Sequence, residues 1–260
     1  MQFVAASKLR HAQQSTLAAR PYSELLDEIL ADVAAVLSGE EHPLLGRHEL
    51  GKRLIVLITS DRGLAGALNT NAVRFAAHEI GDHAGDLEFV TVGRKGRDAM
   101  RRFRVPIVAH FGGFGDRPTF EDVLPLARLI SDEYECGTYN QVDIVYSRFV
   151  STLVQRADKA QLLPIEPSKD TRGIPGSQFI FEPAPAEVLN ELLPRYVGTR
   201  LFQAALESSA SFFSSQMVAM KNATENADEL IEDLTLSYNN ARQANITSEL
   251  IEIASGAQAR

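Results

Sequence analysis

A glycine-bearing turn after a buried strand is where α/β folds commonly hold a phosphate, because backbone N–H groups and a helix N-terminus converge there. Residues 60–66, Ser-Asp-Arg-Gly-Leu-Ala-Gly, have that setting: they follow the apolar run Arg53-Leu-Ile-Val-Leu-Ile-Thr59 and precede a helical pattern. The stretch is neither a P-loop nor a complete G-x-G-x-x-G. Gly63 and Gly66 are therefore expected to permit a tight turn and close helix packing. The strongest basic cluster is Gly93-Arg-Lys-Gly96 with Arg97, Arg101, Arg102 and Arg104, which suits an acidic partner surface or a solvated helix. The six histidines, His11, His42, His48, His78, His83 and His110, show no metal-ligand spacing, and His78 and His83 are expected to be exposed beside a loop. Cys136 is the sole cysteine, so an internal disulfide and a cysteine-based metal site are excluded. No Ser-His-Asp set or paired carboxylates stand out. The acids Glu225, Asp228, Glu229, Glu232 and Asp233 suit the wet face of a helix. This reading yields no catalytic residue, no cofactor site and no metal site.

The middle of the chain reads as strands alternating with helices. Strands are expected over 53–59, 87–92, 105–111 and 142–149, and helices over 67–80, 97–103 and 120–134. A fifth strand is expected within 153–165, antiparallel or at an edge because of Pro164 and Pro167. A loop over 167–176 and a short extended piece over 179–181 precede the last helix. Such alternation predicts a mostly parallel sheet covered on both faces.

The termini carry a different period. From Leu192, every seventh residue gives Thr199, Leu206, Phe213, Met220, Ala227, Leu234 and Ala241. The companion set is Leu189, Tyr196, Gln203, Ala210, Met217, Thr224, Ile231, Tyr238 and Asn245. Spacings of three and four keep such a seam on one side of a helix. A helix over 186–254 would be roughly 100 Å long, far more than a globular domain needs. The first 37 residues repeat the pattern, with Ala5, Ala12, Ala19, Leu26 and Val33 beside Leu9, Thr16, Ser23, Leu30 and Leu37. Two such helices at opposite ends of one chain most simply pack antiparallel. The expected fold is therefore α/β: a long antiparallel coiled coil of the N- and C-terminal helices with an inserted Rossmann-like, mostly parallel domain. The expected division is 1–38, 52–166 and 185–256. Pro21 is expected to kink the first helix, and Pro194 to kink or start the second, because proline removes a backbone donor.

Composition sets further bounds. The 260 residues suffice for one ordinary domain and an elongated element, and a net charge of −8 argues against a general nucleic-acid binder. The longest apolar run, residues 54–59, is far short of a membrane span. No signal peptide is evident at Met1, so a cytosolic location is expected and the sequons at Asn222 and Asn245 are expected to be idle.

Three stretches carry a family resemblance. Met1-Gln-Phe-Val-Ala-Ala-Ser-Lys-Leu-Arg10 with Arg20-Pro-Tyr22, then residues 60–69, then Met217-Val-Ala-Met-Lys-Asn-Ala-Thr224, Tyr238-Asn-Asn-Ala-Arg-Gln-Ala-Asn-Ile-Thr247 and residues 249–256, are similar in order and spacing to the gamma subunit of the rotary F-type ATP synthase. The resemblance spans essentially the whole chain. It implies a non-catalytic central-stalk rotor that couples proton flow through a c-ring to ATP synthesis or hydrolysis on beta subunits. The implied partners are the alpha and beta subunits, the epsilon subunit and the c-ring. Membrane contact would come only through the c-ring, on the cytoplasmic face of a bacterial plasma membrane. Arg242, Gln243 and Thr247 match family positions that touch the catch loop of a beta subunit. Phe179, Phe181 and Glu182 fall where the family's foot meets the c-ring, with bare rings in place of the usual tyrosine hydroxyls. The family's first helix starts several turns before the point matched by Met1. The upper C-terminal helix is accordingly expected to lack a mate and to fray over 242–254. The competing reading is an α/β nucleotide-binding enzyme with a coiled-coil arm, which requires saturable nucleotide binding by the chain alone.

Overall fold

The computed structural model describes residues 1–36, 42–46, 48, 50–82, 86–166 and 185–258. Five segments form one sheet, the inner ones carrying most of the β-branched residues: β1 (Lys52–Ile58), β2 (Leu87–Val92), β3 (Ile107–Phe111), β4 (Tyr139–Phe149) and β5 (Gln155–Leu163). Their order is β3-β2-β1-β4-β5. β1 pairs in parallel with β2 and with β4, β2 pairs in parallel with β3, and β5 runs antiparallel to β4 at the edge. The expected fifth strand thus takes the edge, which tolerates the prolines that follow it.

Both faces of the sheet are covered, as a parallel sheet requires. Side chains alternate along β1. Ile55 and Leu57 pack with Phe89, Val145, Ala72, Ala76 and Met100, on the face covered by α2 (Leu68–Asp82) and α3 (Arg94–Phe103). Leu54, Val56 and Ile58 point the other way. They join Val90, Val142 and Ile144 with Val123, Leu126 and Ile130 of α4 (Phe120–Glu135). Thr119 starts α4 through a capping box with Asp122, a reciprocal pair that satisfies two orphan donors. α3 begins at Arg94, three residues before the expected Arg97, and β4 begins at Tyr139, opposite Lys52, rather than at Val142.

The terminal helices are α1 (Gln2–Val36) and α5 (Pro185–Gln258), the latter 74 residues and about 110 Å long. They run antiparallel, with Lys8 of α1 over the Phe213 ring and Asp27 beside Arg200. On α1 the buried residues are Ala5, Leu9, Ala12, Thr16, Ser23, Leu26 and Leu30, the three-four alternation that the heptads predict. On α5 the seam holds at Leu189, Tyr196, Leu206, Ala210 and Phe213, but Leu193, Val197, Leu201, Ala204, Ala205, Ser211 and Ser214 are buried as well. Over that stretch α5 is sandwiched between α1 and the α/β unit, so two faces are covered and a simple two-helix seam is not what forms.

Pro194 does not start the long helix, which begins nine residues earlier at Pro185. Proline suits a first helical position, where its missing N–H has no partner to lose. Pro194 and Pro21 both lie inside helices and face solvent, so water can reach the carbonyls they leave unpaired. No helix among the described residues is long and apolar enough to cross a membrane.

Tyr146 and Tyr196 sit where the terminal helices meet the α/β unit, and burial pushes both phenols up to about 12. A raised tyrosine pKa stabilises the fold fully below the unfolded value near 10 and is lost as pH climbs through the folded value. Stability should therefore fall between about pH 10 and 12. Converting Tyr146 to Phe should flatten that limb in pH-dependent denaturation.

Candidate partner-binding site and its anchorage

Over 221–253 every residue of α5 is exposed. The segment carries Leu230, Ile231, Leu234, Tyr238, Ile246, Leu250, Ile251 and Ile253, all at least 44 % exposed. So much apolar surface on one bare helix marks an interaction site, and an isolated helix gains little stability from propensity alone. Its heptad positions Thr224, Ala227, Ile231, Leu234, Tyr238, Ala241 and Asn245 continue the seam with no helix against them among the described residues.

Arg242, Gln243 and Thr247 lie on this segment, exposed and within reach of one partner surface, Gln243 and Thr247 being one turn apart. The Thr247 hydroxyl donates to the Gln243 carbonyl at 2.8 Å. Its proton is occupied, which leaves the oxygen to accept. The Gln243 amide offers donor and acceptor, and the Arg242 guanidinium offers a fork of donors. Phe179, Phe181 and Glu182 lie outside the described residues.

The lower part of α5 crosses the crevice between the C-terminal ends of β1 and β4. There the crossovers diverge, α2 to one face and α4 to the other, and folds of this topology bind nucleotides at that point. Here a cleft of about 190 Å³ remains, walled by Thr59, Asp61 and Gly113 on one side and by Ser208, Ser209 and Phe212 of α5 on the other. That is small for a ligand pocket. The donors an anion would need are already used: the Asp61 carboxylate accepts from the Arg94 N–H at 2.9 Å and the Gly113 N–H at 3.0 Å. Asp61 thus occupies the N-terminus of α3 with a negative charge of its own. This geometry argues against the nucleotide-binding alternative. Asp61→Ala would strand two N–H groups and is expected to cost about 2 kcal/mol, read from urea denaturation.

Gly66 serves the tight turn as expected, and Gly63 does not. Gly66 has φ +53° and the turn's other left-handed residue is Leu64 at +62°, whereas a Cβ on Gly63 would meet only the end of the Lys95 side chain at 3.9 Å. Close approach is instead made by Gly93 and Gly96, which press on Thr59, and by Gly113, which presses on Asp61. In the basic cluster Arg94 lies near Asp61 and Arg97 pairs with Asp98, while Arg101, Arg102 and Arg104 are exposed and form no ion pair among the described residues. His78 is exposed as expected, and His83 lies outside the described residues.

Sequence reasoning missed the anchorage of α5. Five serines fall within residues 208–215, an odd choice inside a helix because serine competes for backbone hydrogen bonds. Here they face the α/β unit instead. Ser211 Oγ donates to Ser147 O at 2.9 Å, Ser214 Oγ to Thr152 O at 2.6 Å, and Ser215 Oγ to Ala65 O at 2.9 Å. Gln155 Nε2 donates back to Ser214 Oγ at 3.2 Å. On α1, Lys8 forms an ion pair with Asp116 of the β3–α4 loop.

An ATP synthase family model matches residues 1–259. ATP synthase gamma chains of Desulfitobacterium hafniense and Dehalococcoides mccartyi are 44 % and 46 % identical to this chain over 259 and 261 residues, matches that cover 100 % of this chain and 91 % of each relative. The central stalk in the Tetrahymena thermophila mitochondrial ATP synthase central stalk/c-ring structure superposes with a TM-score of 0.67 at 23 % identity, over 86 % of this chain and 97 % of that one. A chain of the Euglena gracilis mitochondrial ATP synthase rotor gives 0.58 at 16 % identity, over 93 % and 99 %. Those two likenesses concern the fold, a sheet domain slung between terminal helices, and the sequence relatives fix the lineage: the chain belongs to the ATP synthase gamma chain family.

Proposed function

We propose that this chain is the central-stalk rotor of an F-type ATP synthase, a non-catalytic subunit that passes torque between a proton-driven c-ring and the catalytic beta subunits. The observation that carries the reading is the bare end of α5, an apolar helix with no covering among the described residues and an α/β unit fixed to its other half. A sleeve formed by alpha and beta subunits would cover that surface. As the shaft turns, its asymmetric faces would meet each beta subunit in succession. A rotating shaft shifts their populations only through contacts that differ between conformations. Arg242, Gln243 and Thr247 are the proposed contacts with a beta-subunit loop.

The chain then divides into an N-terminal shaft helix over 1–38, a foot over 52–166 and a C-terminal shaft helix over 185–256. The foot, with Phe179, Phe181 and Glu182, rests on the c-ring and takes the epsilon subunit. The assembly lies peripherally on the cytoplasmic face of a bacterial plasma membrane, held through the c-ring. Affinity purification of tagged chain co-expressed with alpha and beta subunits should return an ATPase hexamer. Recovery of the chain alone, together with saturable ATP binding by it, would overturn the reading in favour of a nucleotide-binding enzyme.

A further inference from the structure

Torque can pass between foot and shaft only if α5 does not roll on the sheet. The apolar core between them, with Leu193, Val197, Leu201 and Ala204 of α5 against Leu126 and Ile130 of α4, holds the parts together and resists large rolls by interdigitation, but apolar attraction is itself non-directional and yields to small ones. Hydrogen bonds are directional. A helix with side chains has a radius of about 5 Å, so a roll of about 20° displaces a surface oxygen by roughly 2 Å, enough to break a hydrogen bond.

We infer that Ser211, Ser214 and Ser215 are positioning residues that lock α5 against rolling and so make the foot and the shaft one torque-bearing body; the inference rests on the rotor reading. Three features support it. The three hydroxyls lie within little more than one turn of α5 and reach three separate segments: the Ser147 carbonyl on β4, the Thr152 carbonyl in the β4–β5 turn and the Ala65 carbonyl in the β1–α2 turn. These acceptors span the C-terminal edge of the sheet, so any roll strains at least one bond. Ser211 and Ser214 are fully buried, where water cannot readily replace a broken bond. The ladder also runs up to residues 215–220, where the covering of α5 thins before it ends at Lys221. A twist imposed on the bare end is first resisted there.

The test uses the assembled membrane complex carrying Ser211→Ala, Ser214→Ala and Ser215→Ala together. ATP hydrolysis should stay within about twofold of the unsubstituted complex, while protons pumped per ATP against an established gradient should fall at least threefold. The comparator is Leu201→Ala, a cavity in the apolar core that removes no hydrogen bond. It should lower thermal stability at least as much and leave the pumping ratio unchanged. An unchanged ratio in the triple variant, or an equal fall in both, overturns the inference. If the triple variant does not assemble, Ser215→Ala against Ser215→Thr decides it: Thr keeps the hydroxyl and should keep the ratio, Ala should lower it, and equal ratios overturn the proposal. Failure of the rotor reading looks different, since then the unsubstituted chain would not assemble with alpha and beta subunits at all.

Discussion

Replacing Gln243 and Thr247 together by Ala is expected to cut ATP-driven proton pumping by the assembled complex about tenfold while leaving the fold of the chain intact. Both side chains are exposed, and the side-chain hydrogen bond between the pair is the local one from the Thr247 hydroxyl to the Gln243 carbonyl, which the backbone helix bond also shares. Their removal costs the isolated chain little, because exposed helix positions tolerate Ala well. In a complex each would contribute a directional hydrogen bond worth about 0.7 kcal/mol, and two such bonds lost from one conformation of a beta subunit account for the tenfold effect. Arg242→Ala should act in the same direction, more strongly where the guanidinium meets a carboxylate. Pumping followed by a pH-sensitive dye in membrane vesicles, beside hydrolysis in the same vesicles, gives the measurement. Full pumping by the double variant would remove these residues from the contact.

Gly93→Ala is expected to destabilise the α/β unit by about 4 kcal/mol. The backbone of Gly93 has φ +87° and ψ 148°, a region that side chains with a Cβ avoid. A Cβ there would lie 2.2 Å from the Thr59 carbonyl oxygen. Thr59 cannot retreat. Its N–H donates to Val92 O at 2.9 Å, its hydroxyl donates to Val92 O at 3.0 Å and accepts from the Gly96 N–H at 2.8 Å. Gly93 N–H in turn donates to Phe111 O at 3.0 Å, which ties β2 to β3. The methyl group would have to separate β1 from the start of α3 and break this set. Chemical denaturation of the purified chain reads the effect, and a loss below about 1 kcal/mol would show that the loop relaxes freely.

The shaft and the α/β unit were legible in the sequence to different degrees. Strand positions were legible because continuous β-branched runs such as residues 53–59 have few alternatives to a buried parallel strand. α1 was legible because its contacts lie on one side, so Ala5, Leu9, Ala12 and Thr16 kept the heptad phase. α5 was legible in extent but not in packing. Between Leu189 and Ser214 it is covered on two sides, and a one-dimensional period describes only one of them. Gly93 was read as part of a lead-in to a basic helix, because nothing in the local sequence says that Thr59, 34 residues earlier, will press against it.

The amino-acid sequence by itself determined that two long helices close the chain, that an α/β unit with a mostly parallel sheet lies between them, and that Arg242, Gln243 and Thr247 would sit on a helix. Those properties follow from periodicity and local propensity, which neighbouring residues encode. Only the tertiary structure decided that α5 crosses and narrows the crevice where a nucleotide would otherwise bind, that Asp61 caps α3, and that Ser211, Ser214 and Ser215 hydrogen-bond to the α/β unit. Each depends on segments brought together from distant parts of the chain, such as Ala65 with Ser215, 150 residues apart. Hydrogen-bond partners at that separation are chosen by the packing of whole elements, and the residues near either partner hold no record of the choice.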